Sequence, residues 1–221
     1  MSKPIKKSDK AKIKNPFERK KKKFYSELPP YTYIVCEGTK TEPIYLESIK
    51  KEINKKYWDF SQGERIIIKG AGANTLSLLD FARKNVEYDM PNAQKVWLVY
   101  DKDSFPQDKF DSTQFSVDNR KDKREYRTAW SNECFELWLV LHFQNLESDI
   151  GREKYCKILR RYIPKYQKNY QNIYTDLKDK IPDAIKRAKK QYQSYKEGTP
   201  PSKMTPSTKM WELMEELLRY L

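Results

Sequence analysis

The stretch that decides the fold is KVWLVYDKD, residues 95–103. An apolar and aromatic run from Val96 to Tyr100 stops at Asp101 and Asp103, which are one residue apart. An uninterrupted β-rich run of this kind is typical of a strand buried on both faces in a parallel sheet. Open α/β sheets bind their ligands outside the carboxyl ends of the strands. The stretch therefore predicts a core strand that delivers two carboxylates to a site at the sheet edge.

A second stretch has the same form, because YTYIVC at residues 31–36 ends in Glu37 and Gly38. If the two strands lie side by side and parallel, Glu37, Asp101 and Asp103 converge at one edge. Carboxylate oxygens are preferred ligands of Mg²⁺, which usually binds one or two of them together with water and phosphate. The two strands together favour a cation site. For an isolated D-x-D, the alternative is a polar strand exit with no ligand.

The rest of the chain alternates strand and helix signals up to about residue 150. Strands are predicted at residues 64–69 and 126–130, helices at 41–57 and 75–88, and a short helix or ordered loop at 104–124. A further helix is predicted with Ser131 and Asn132 as its cap and with apolar residues to Phe143. This order predicts an α/β fold with a mostly parallel central sheet flanked by helices on both faces.

Three regions are predicted from these signals. Residues 1–24 form a basic disordered arm, residues 25–150 an α/β domain, and residues 151–221 a C-terminal extension packed on the same core. Beyond Gly151 the apolar pattern is helical throughout, with helices near 153–162, 170–177, 182–195 and 209–220.

The chain is strongly basic, with a formal net charge of +14 and a pI near 9.4 over 221 residues. Such a charge suggests a polyanionic partner, either nucleic acid or an acidic membrane surface. Eleven Lys and Arg against two acids fall within residues 1–23, so the rest of the chain is only mildly basic. The arm is either a solvated tail that aids solubility or a segment that contacts phosphates.

The three cysteines, Cys36, Cys134 and Cys156, are widely spaced and form no C-x-x-C pair. This pattern supports neither a disulfide framework nor a structural zinc site. No apolar run approaches the roughly 20 residues of a membrane span, and the N-terminus lacks the apolar region of a secretory signal. A cytoplasmic protein is expected.

Several other residues have two interpretations each. Lys40 and Lys102 flank the carboxylates and either hold a substrate phosphate or are surface lysines. The G-x-G at residues 70–72 either cradles a phosphate or makes a tight connection. Glu136 is either an added metal or water ligand or a buried glutamate paired with a basic side chain. His142, the single histidine, is either a core residue or a general base.

Three motifs together resemble the RloB-like family, which is related to the Toprim domains of topoisomerases, DnaG-type primases and OLD-family nucleases. They are CEGTKTEP-x-Y at residues 36–45, YDKD at 100–103 and SNECFELWLVLHF at 131–143. The resemblance implies a Rossmann-like domain in which Glu37 is the Toprim glutamate, a general acid or base, and Asp101 and Asp103 bind magnesium. The sequence departs from the family pattern at Glu133, where proline is expected.

The resemblance also implies a role in bacterial restriction and phage-defence loci, alongside an ATPase partner protein. The leading prediction is a nuclease that uses Mg²⁺, or Mn²⁺, to hydrolyse the phosphodiester bonds of DNA or RNA. The main alternative is a non-catalytic nucleic-acid-binding or scaffold subunit of a defence complex. A nucleotide phosphohydrolase is also left open, as is the oligomeric state, whereas the chain has little room for the extra domains of primases and topoisomerases.

Overall fold

A computed structural model describes residues 27–60, 63–72, 75–104 and 106–221. The predicted basic arm, residues 1–24, lies outside the described residues. Within them, five strands make one sheet: β1 Thr32–Cys36, β2 Ile66–Gly70, β3 Lys95–Asp101, β4 Glu125–Asn132 and β5 Ser207–Thr208. The α-helices are α1 Thr41–Tyr57, α2 Thr75–Asp89, α3 Gln107–Asp118, α4 Glu136–Leu141, α5 Arg152–Tyr162, α6 Ile173–Leu177, α7 Ile181–Gln193 and α8 Met210–Leu218.

The strand order in the sheet is β2-β1-β3-β4-β5. The first four strands of this order are mutually parallel, and β5 is antiparallel to β4. The predicted α/β class with a mostly parallel central sheet is therefore confirmed. Strand β3 lies in the middle, with Cys36 of β1 opposite Val99 and Trp130 of β4 opposite Tyr100, so the ends of β1 and β3 meet at one edge.

Helices cover both faces of this sheet, which explains why the central strands are apolar at consecutive positions. All five residues of β1 are buried. Ile34 and Cys36 belong to the core shared with α1 and with helices α4 to α8. Tyr33 and Val35 belong to the core shared with α2 and α3. Burying both faces leaves only the strand ends open to a ligand.

The sequence pattern predicted that the segment after Gly151 is helical throughout. This prediction was wrong, because the segment contributes β5 to the sheet. Thr208 pairs with Ser131, and Ser207 pairs with Asn132. The hydroxyl groups of Ser131 and Thr208 also hydrogen-bond at 3.0 Å. A strand of two residues is too short to show the alternating pattern by which strands are recognised.

The predicted cap of α4 was also wrong. Ser131 and Asn132 are the last residues of β4, and α4 begins at Glu136 without a side-chain cap. The Asn132 amide instead donates to the backbone oxygens of Pro201 and Ser202. Ser and Asn are common caps, but here their side chains join β4 to the later segment. No helix in the described residues is long and apolar enough to cross a membrane.

Candidate functional site

The parallel pairing of β1 with β3 brings Glu37 beside Asp101, as the sequence predicted. The Glu37 amide donates to the backbone oxygen of Val99 at 2.8 Å, which continues the ladder past the end of β1. The Glu37 carboxylate accepts hydrogen bonds from the Thr75 hydroxyl at 3.0 Å and from the Asp101 amide at 3.2 Å. Glu37 is thus fixed between the end of β3 and the start of α2.

Asp101, the last residue of β3, is partly buried. Its Oδ2 accepts a hydrogen bond from the Phe135 amide at 3.0 Å. Its Oδ1 is buried and has no hydrogen-bond partner among the described residues. Buried polar atoms in folded proteins are almost always paired, so this oxygen marks a position where a cation or a donor would be stabilising.

Asp103 lies in the turn after β3, with a positive φ of 40° that aspartate tolerates better than most residues. Its amide donates to the backbone oxygen of Glu133 at 2.9 Å. Its carboxylate forms an ion pair with Arg152 at 2.5 Å. The Asn132–Glu133 peptide, at the position where the family pattern has proline, is cis. Asp103 therefore connects the end of β3 to the start of α5.

Glu42 is a carboxylate of the candidate site that sequence reasoning did not place there. It lies in the first turn of α1, is buried, and folds back so that its carboxylate covers Gly38. A methyl group added at Gly38 would stand 2.6 Å from Glu42 Oε2. Glycine at this position therefore makes room for the carboxylate. The signal in the sequence was the position of Glu42, five residues after Glu37 in the same motif.

Glu136, the first residue of α4, completes the group and is buried. It lies close enough to both Glu42 and Asp101 to raise the pKa of each. We call the five carboxylates the acid cluster, which consists of Glu37, Glu42, Asp101, Asp103 and Glu136.

Burial and mutual repulsion shift the ionisation of three of these acids, Glu42, Asp101 and Glu37, toward the neutral form. Burial, together with the charges of Glu136, Glu37 and Asp103, raises the pKa of Glu42 to about 7. Burial, followed by the charge of Glu42, holds the pKa of Asp101 well above its usual range. The pKa of Glu37 is raised by burial, although its hydrogen bonds from Asp101 and Thr75 oppose this. A positive charge placed beside these three acids would stabilise their ionised forms.

The donor chemistry of the acid cluster fits a hard divalent cation. All five side chains offer carboxylate oxygens, and Asp101 Oδ1 is a buried acceptor that lacks a partner. As they stand, no three or more His, Cys, Asp or Glu side chains within the described ranges are arranged to hold a metal ion. Glu37 and Asp103 face protein donors instead. Coordination would require these two side chains to turn away from Thr75 and Arg152.

The other predicted site residues are Lys40, Lys102 and His142, which lie in different surroundings. Lys40 is exposed in the loop before α1 and makes no ion pair with any described residue. Lys102 lies between the two aspartates, where its amide donates to the backbone oxygen of Ser131. His142 is buried, with its ring nitrogens 2.9 Å from the Trp138 oxygen and 3.4 Å from the Tyr45 hydroxyl. Burial lowers the pKa of His142 to about 3, so the ring is neutral at physiological pH.

Gly70, at the end of β2, supports the loop that carries Glu37. A methyl group added at Gly70 would stand 2.8 Å from Thr39 Cα and 2.9 Å from the Gly38 oxygen. Both atoms belong to the backbone, so the steric clash can be relieved only if the loop shifts. Overpacking of this kind costs typically about 1–3 kcal/mol.

Replacing Gly70 with alanine is therefore expected to lower the free energy of unfolding by about 1–3 kcal/mol, measured by urea denaturation. The same shift should displace Glu37 and weaken divalent-cation binding in calorimetry. Lys69→Ala, on the same strand but half-exposed and paired only with Asp89, is the control and should change stability by less than about 0.5 kcal/mol. Equal effects of the two variants would contradict the assigned role of Gly70.

Comparison with known protein families gives one match, to the RloB-like protein family over residues 32–217. The chain belongs to the RloB-like family. The family resemblance seen in the sequence is thereby confirmed, and the matched region contains the whole acid cluster. No curated protein and no solved structure matches the chain.

Proposed function

We propose that this RloB-like protein is a metal-dependent nuclease that hydrolyses phosphodiester bonds of DNA or RNA. The observation that supports this most is Asp101 Oδ1, a buried carboxylate oxygen without a hydrogen-bond partner among the described residues, in a side chain that feels the charges of Glu42, Asp103 and Glu136. Burying several like charges is destabilising unless a counter-charge is supplied. An Mg²⁺ or Mn²⁺ ion supplies that charge, and the phosphate of a nucleic acid completes its shell.

The side chains divide into two roles. Asp101, Asp103, Glu42 and Glu136 would hold the cation, and Glu37 would act on protons. A bound ion would stabilise the negative charge that develops on the phosphoryl oxygens and on the leaving oxygen. Glu37 has a raised pKa and is held by Thr75, so it can take a proton from the attacking water. As the oxygen of that water bonds to phosphorus, the P–O bond to the leaving oxygen breaks, and the leaving oxygen takes a proton from solvent water.

The family supports a biological setting for this chemistry. RloB-like proteins resemble components of restriction and phage-defence loci, so we place the activity in antiphage defence as the effector of an ATPase partner. The resemblance to Toprim domains is consistent with the observed order, in which Glu37 directly follows β1 and the aspartate pair lies at the end of β3 and in the turn after it.

Incubating the purified full chain with DNA and RNA oligonucleotides tests this proposal. Cleavage should require Mg²⁺ or Mn²⁺, stop with EDTA, and be lost in Glu37→Gln. The assay is run with the chain alone and with the proteins encoded beside it, because an ATPase partner is part of the proposal. Absence of metal-dependent cleavage in all of these mixtures, or full cleavage by Glu37→Gln, would reject it.

One observation favours the second candidate, a non-catalytic nucleic-acid-binding subunit. Asp103 is already neutralised by Arg152, and the described residues contain no ready coordination set. In that case calorimetry would detect no divalent-cation binding, while oligonucleotide binding would persist. The same titration therefore separates the two candidates.

A further inference from the structure

The positive charge of the described chain is concentrated in one segment. Residues 152–203 contain fifteen Lys and Arg against five Asp and Glu, a net charge of +10. This segment covers α5 to α7 and the loops between them. It is packed on the sheet face that also carries α1 and α4, which are the helices of Glu42 and Glu136. The strongest basic region therefore adjoins the acid cluster.

One direct contact joins this segment to the acid cluster, and a second contact lies beside the cluster. Arg152, at the start of α5, pairs with Asp103, and its amide donates to the Glu133 carboxylate at 2.9 Å. Asn169, in the loop after α5, accepts a hydrogen bond at 3.3 Å from the hydroxyl of Thr41, the neighbour of Glu42. The segment 152–169 thus contacts Asp103 at its start and the residue next to Glu42 at its end, and it forms one wall of the site.

Three cations of this wall gather around Cys156, one turn after Arg152. Burial and the charge of Glu136 raise the pKa of the Cys156 thiol, whereas Lys168, Arg160 and Arg152 lower it. The thiol therefore lies within electrostatic reach of both the acid cluster and the three cations. We call Arg152, Arg160 and Lys168 the basic rim.

The basic rim is incompletely neutralised. Within the described part of the chain, Lys168 makes no ion pair and no side-chain hydrogen bond, and Arg160 makes one hydrogen bond, from Nε to the Tyr166 oxygen at 3.2 Å. Both side chains are exposed. The guanidinium of Arg160 is thus oriented by its Nε while its terminal nitrogens keep their donors for another acceptor.

Tyr166 adds a buried donor at the same wall. Its side chain is 3% exposed, and its hydroxyl has no hydrogen-bond partner among the described residues. Burial, followed by the charge of Glu136 and then of Cys156, raises its pKa, so the hydroxyl keeps its proton. An unpaired buried hydroxyl is costly, so a ligand that accepts a hydrogen bond here is favoured.

We infer that the basic rim binds the phosphates of the nucleic-acid strand next to the bond presented to the acid cluster, with the Tyr166 hydroxyl as an additional donor. The inference rests on the proposed function for the identity of the strand, and it names the surface that binds it. An acidic site repels a polyanion, and adjacent fixed cations offset that repulsion. Arg and Lys are the side chains that contact phosphates, and Arg does so with several donors at once.

The helix itself provides a matched control. Lys154 and Arg161 are on α5 and exposed, and neither pairs with a described residue. At roughly 100° per residue, both lie about 140–160° around the helix from Cys156. The double variants Arg160→Ala/Lys168→Ala and Lys154→Ala/Arg161→Ala therefore remove one arginine and one lysine each, from different sides of the same segment.

The experiment measures binding of the full chain to fluorescein-labelled oligonucleotides by anisotropy, in EDTA and in Ca²⁺, over a range of salt. Binding is measured separately for single-stranded DNA, duplex DNA, single-stranded RNA and duplex RNA. Arg160→Ala/Lys168→Ala should raise Kd at least about tenfold and reduce the slope of log K against log salt by roughly 1.4–1.8, at about 0.7–0.9 per lost phosphate contact. The control pair should change Kd less than about threefold.

Equal losses from both pairs, no loss from the rim pair, or no binding of any oligonucleotide by the wild type would each overturn the inference. Lys168→Ala alone, which removes no ion pair and no side-chain hydrogen bond with a described residue, covers the case in which the double variant is unstable, and its expected loss is about threefold or more. Arg160→Lys/Lys168→Arg should retain affinity because it keeps both charges. If the wild type binds oligonucleotides but cleaves none of them with metal, the proposed nuclease function is rejected. This inference is then still tested by the ratios of Kd between the variants and the wild type.

Discussion

Asparagine in place of Asp101 is expected to abolish metal-dependent cleavage and, at the same time, to stabilise the metal-free protein. The Oδ1 atom of its carboxylate is buried and has no hydrogen-bond partner among the described residues, and the charges of Glu42, Asp103 and Glu136 act on the group. Removing its charge removes repulsion and desolvation from the fold, but it also removes a central ligand. A metal ion contributes several kcal/mol to charge stabilisation in such reactions, so the rate should fall at least about 1,000-fold.

Thermal unfolding in EDTA at pH 8 measures the second half of this prediction. The midpoint Tm of Asp101→Asn should rise by about 2–8 °C, as expected for a gain of roughly 1–2 kcal/mol in a domain of this size. Asp80→Asn, an exposed carboxylate on α2 paired with Arg83, should shift neither Tm nor cleavage appreciably. A lower Tm together with retained cleavage would contradict the assignment of Asp101 as a buried metal ligand.

Replacing Glu42 with glutamine should remove a pH-dependent loss of stability. Its pKa is raised to about 7 in the folded protein, against an ordinary value near 4.5. At a pH below this ordinary pKa, the Glu42 carboxyl is protonated in both the folded and the unfolded protein and does not affect the free energy of unfolding. As pH rises from about 4.5 to 7, only the unfolded chain releases the proton, so the folded state loses up to about 3 kcal/mol. Above about pH 7 the full penalty persists.

The difference in Tm between Glu42→Gln and the wild type isolates this effect, because other groups change with pH in both proteins. His142, with a pKa lowered to about 3, destabilises the fold as pH falls below about 6.5, the opposite sign. In EDTA, Glu42→Gln should exceed the wild type by about 5–10 °C at pH 8 and by little at pH 4.5. Saturating Mn²⁺ should stabilise the wild type more at pH 8 than at pH 5.5, and it should stabilise the variant less than the wild type. A constant difference across pH would contradict the burial of an ionised Glu42.

The central sheet was predictable because β1 and β3 are apolar without interruption and stop at acids. That pattern requires burial on both faces, and it placed Glu37 and Asp101 at one edge before their pairing was known. Glu136 was predictable only as one of two alternatives, since a glutamate at the start of a helix also stabilises the helix dipole.

Glu42 was missed for the same reason, because a glutamate in the first turn of α1 needs no further explanation. Only the fold-back of its side chain over Gly38 shows that it belongs to the acid cluster. Thr75 and Arg152 were not predictable, because their contacts with Glu37 and Asp103 span 38 and 49 residues of chain, respectively. Contacts of this range leave no periodic signal in a single sequence.

The most direct test of the central claim is anomalous X-ray diffraction from crystals of the full chain soaked with Mn²⁺. The claim is that the acid cluster is a divalent-cation site at the carboxyl edge of the parallel strands. The predicted result is an anomalous peak bounded by oxygens of Asp101 and at least two of Glu37, Glu42, Asp103 and Glu136, with Asp101 Oδ1 among the ligands. No peak at the acid cluster at saturating Mn²⁺, with Arg152 still paired to Asp103, would contradict the claim.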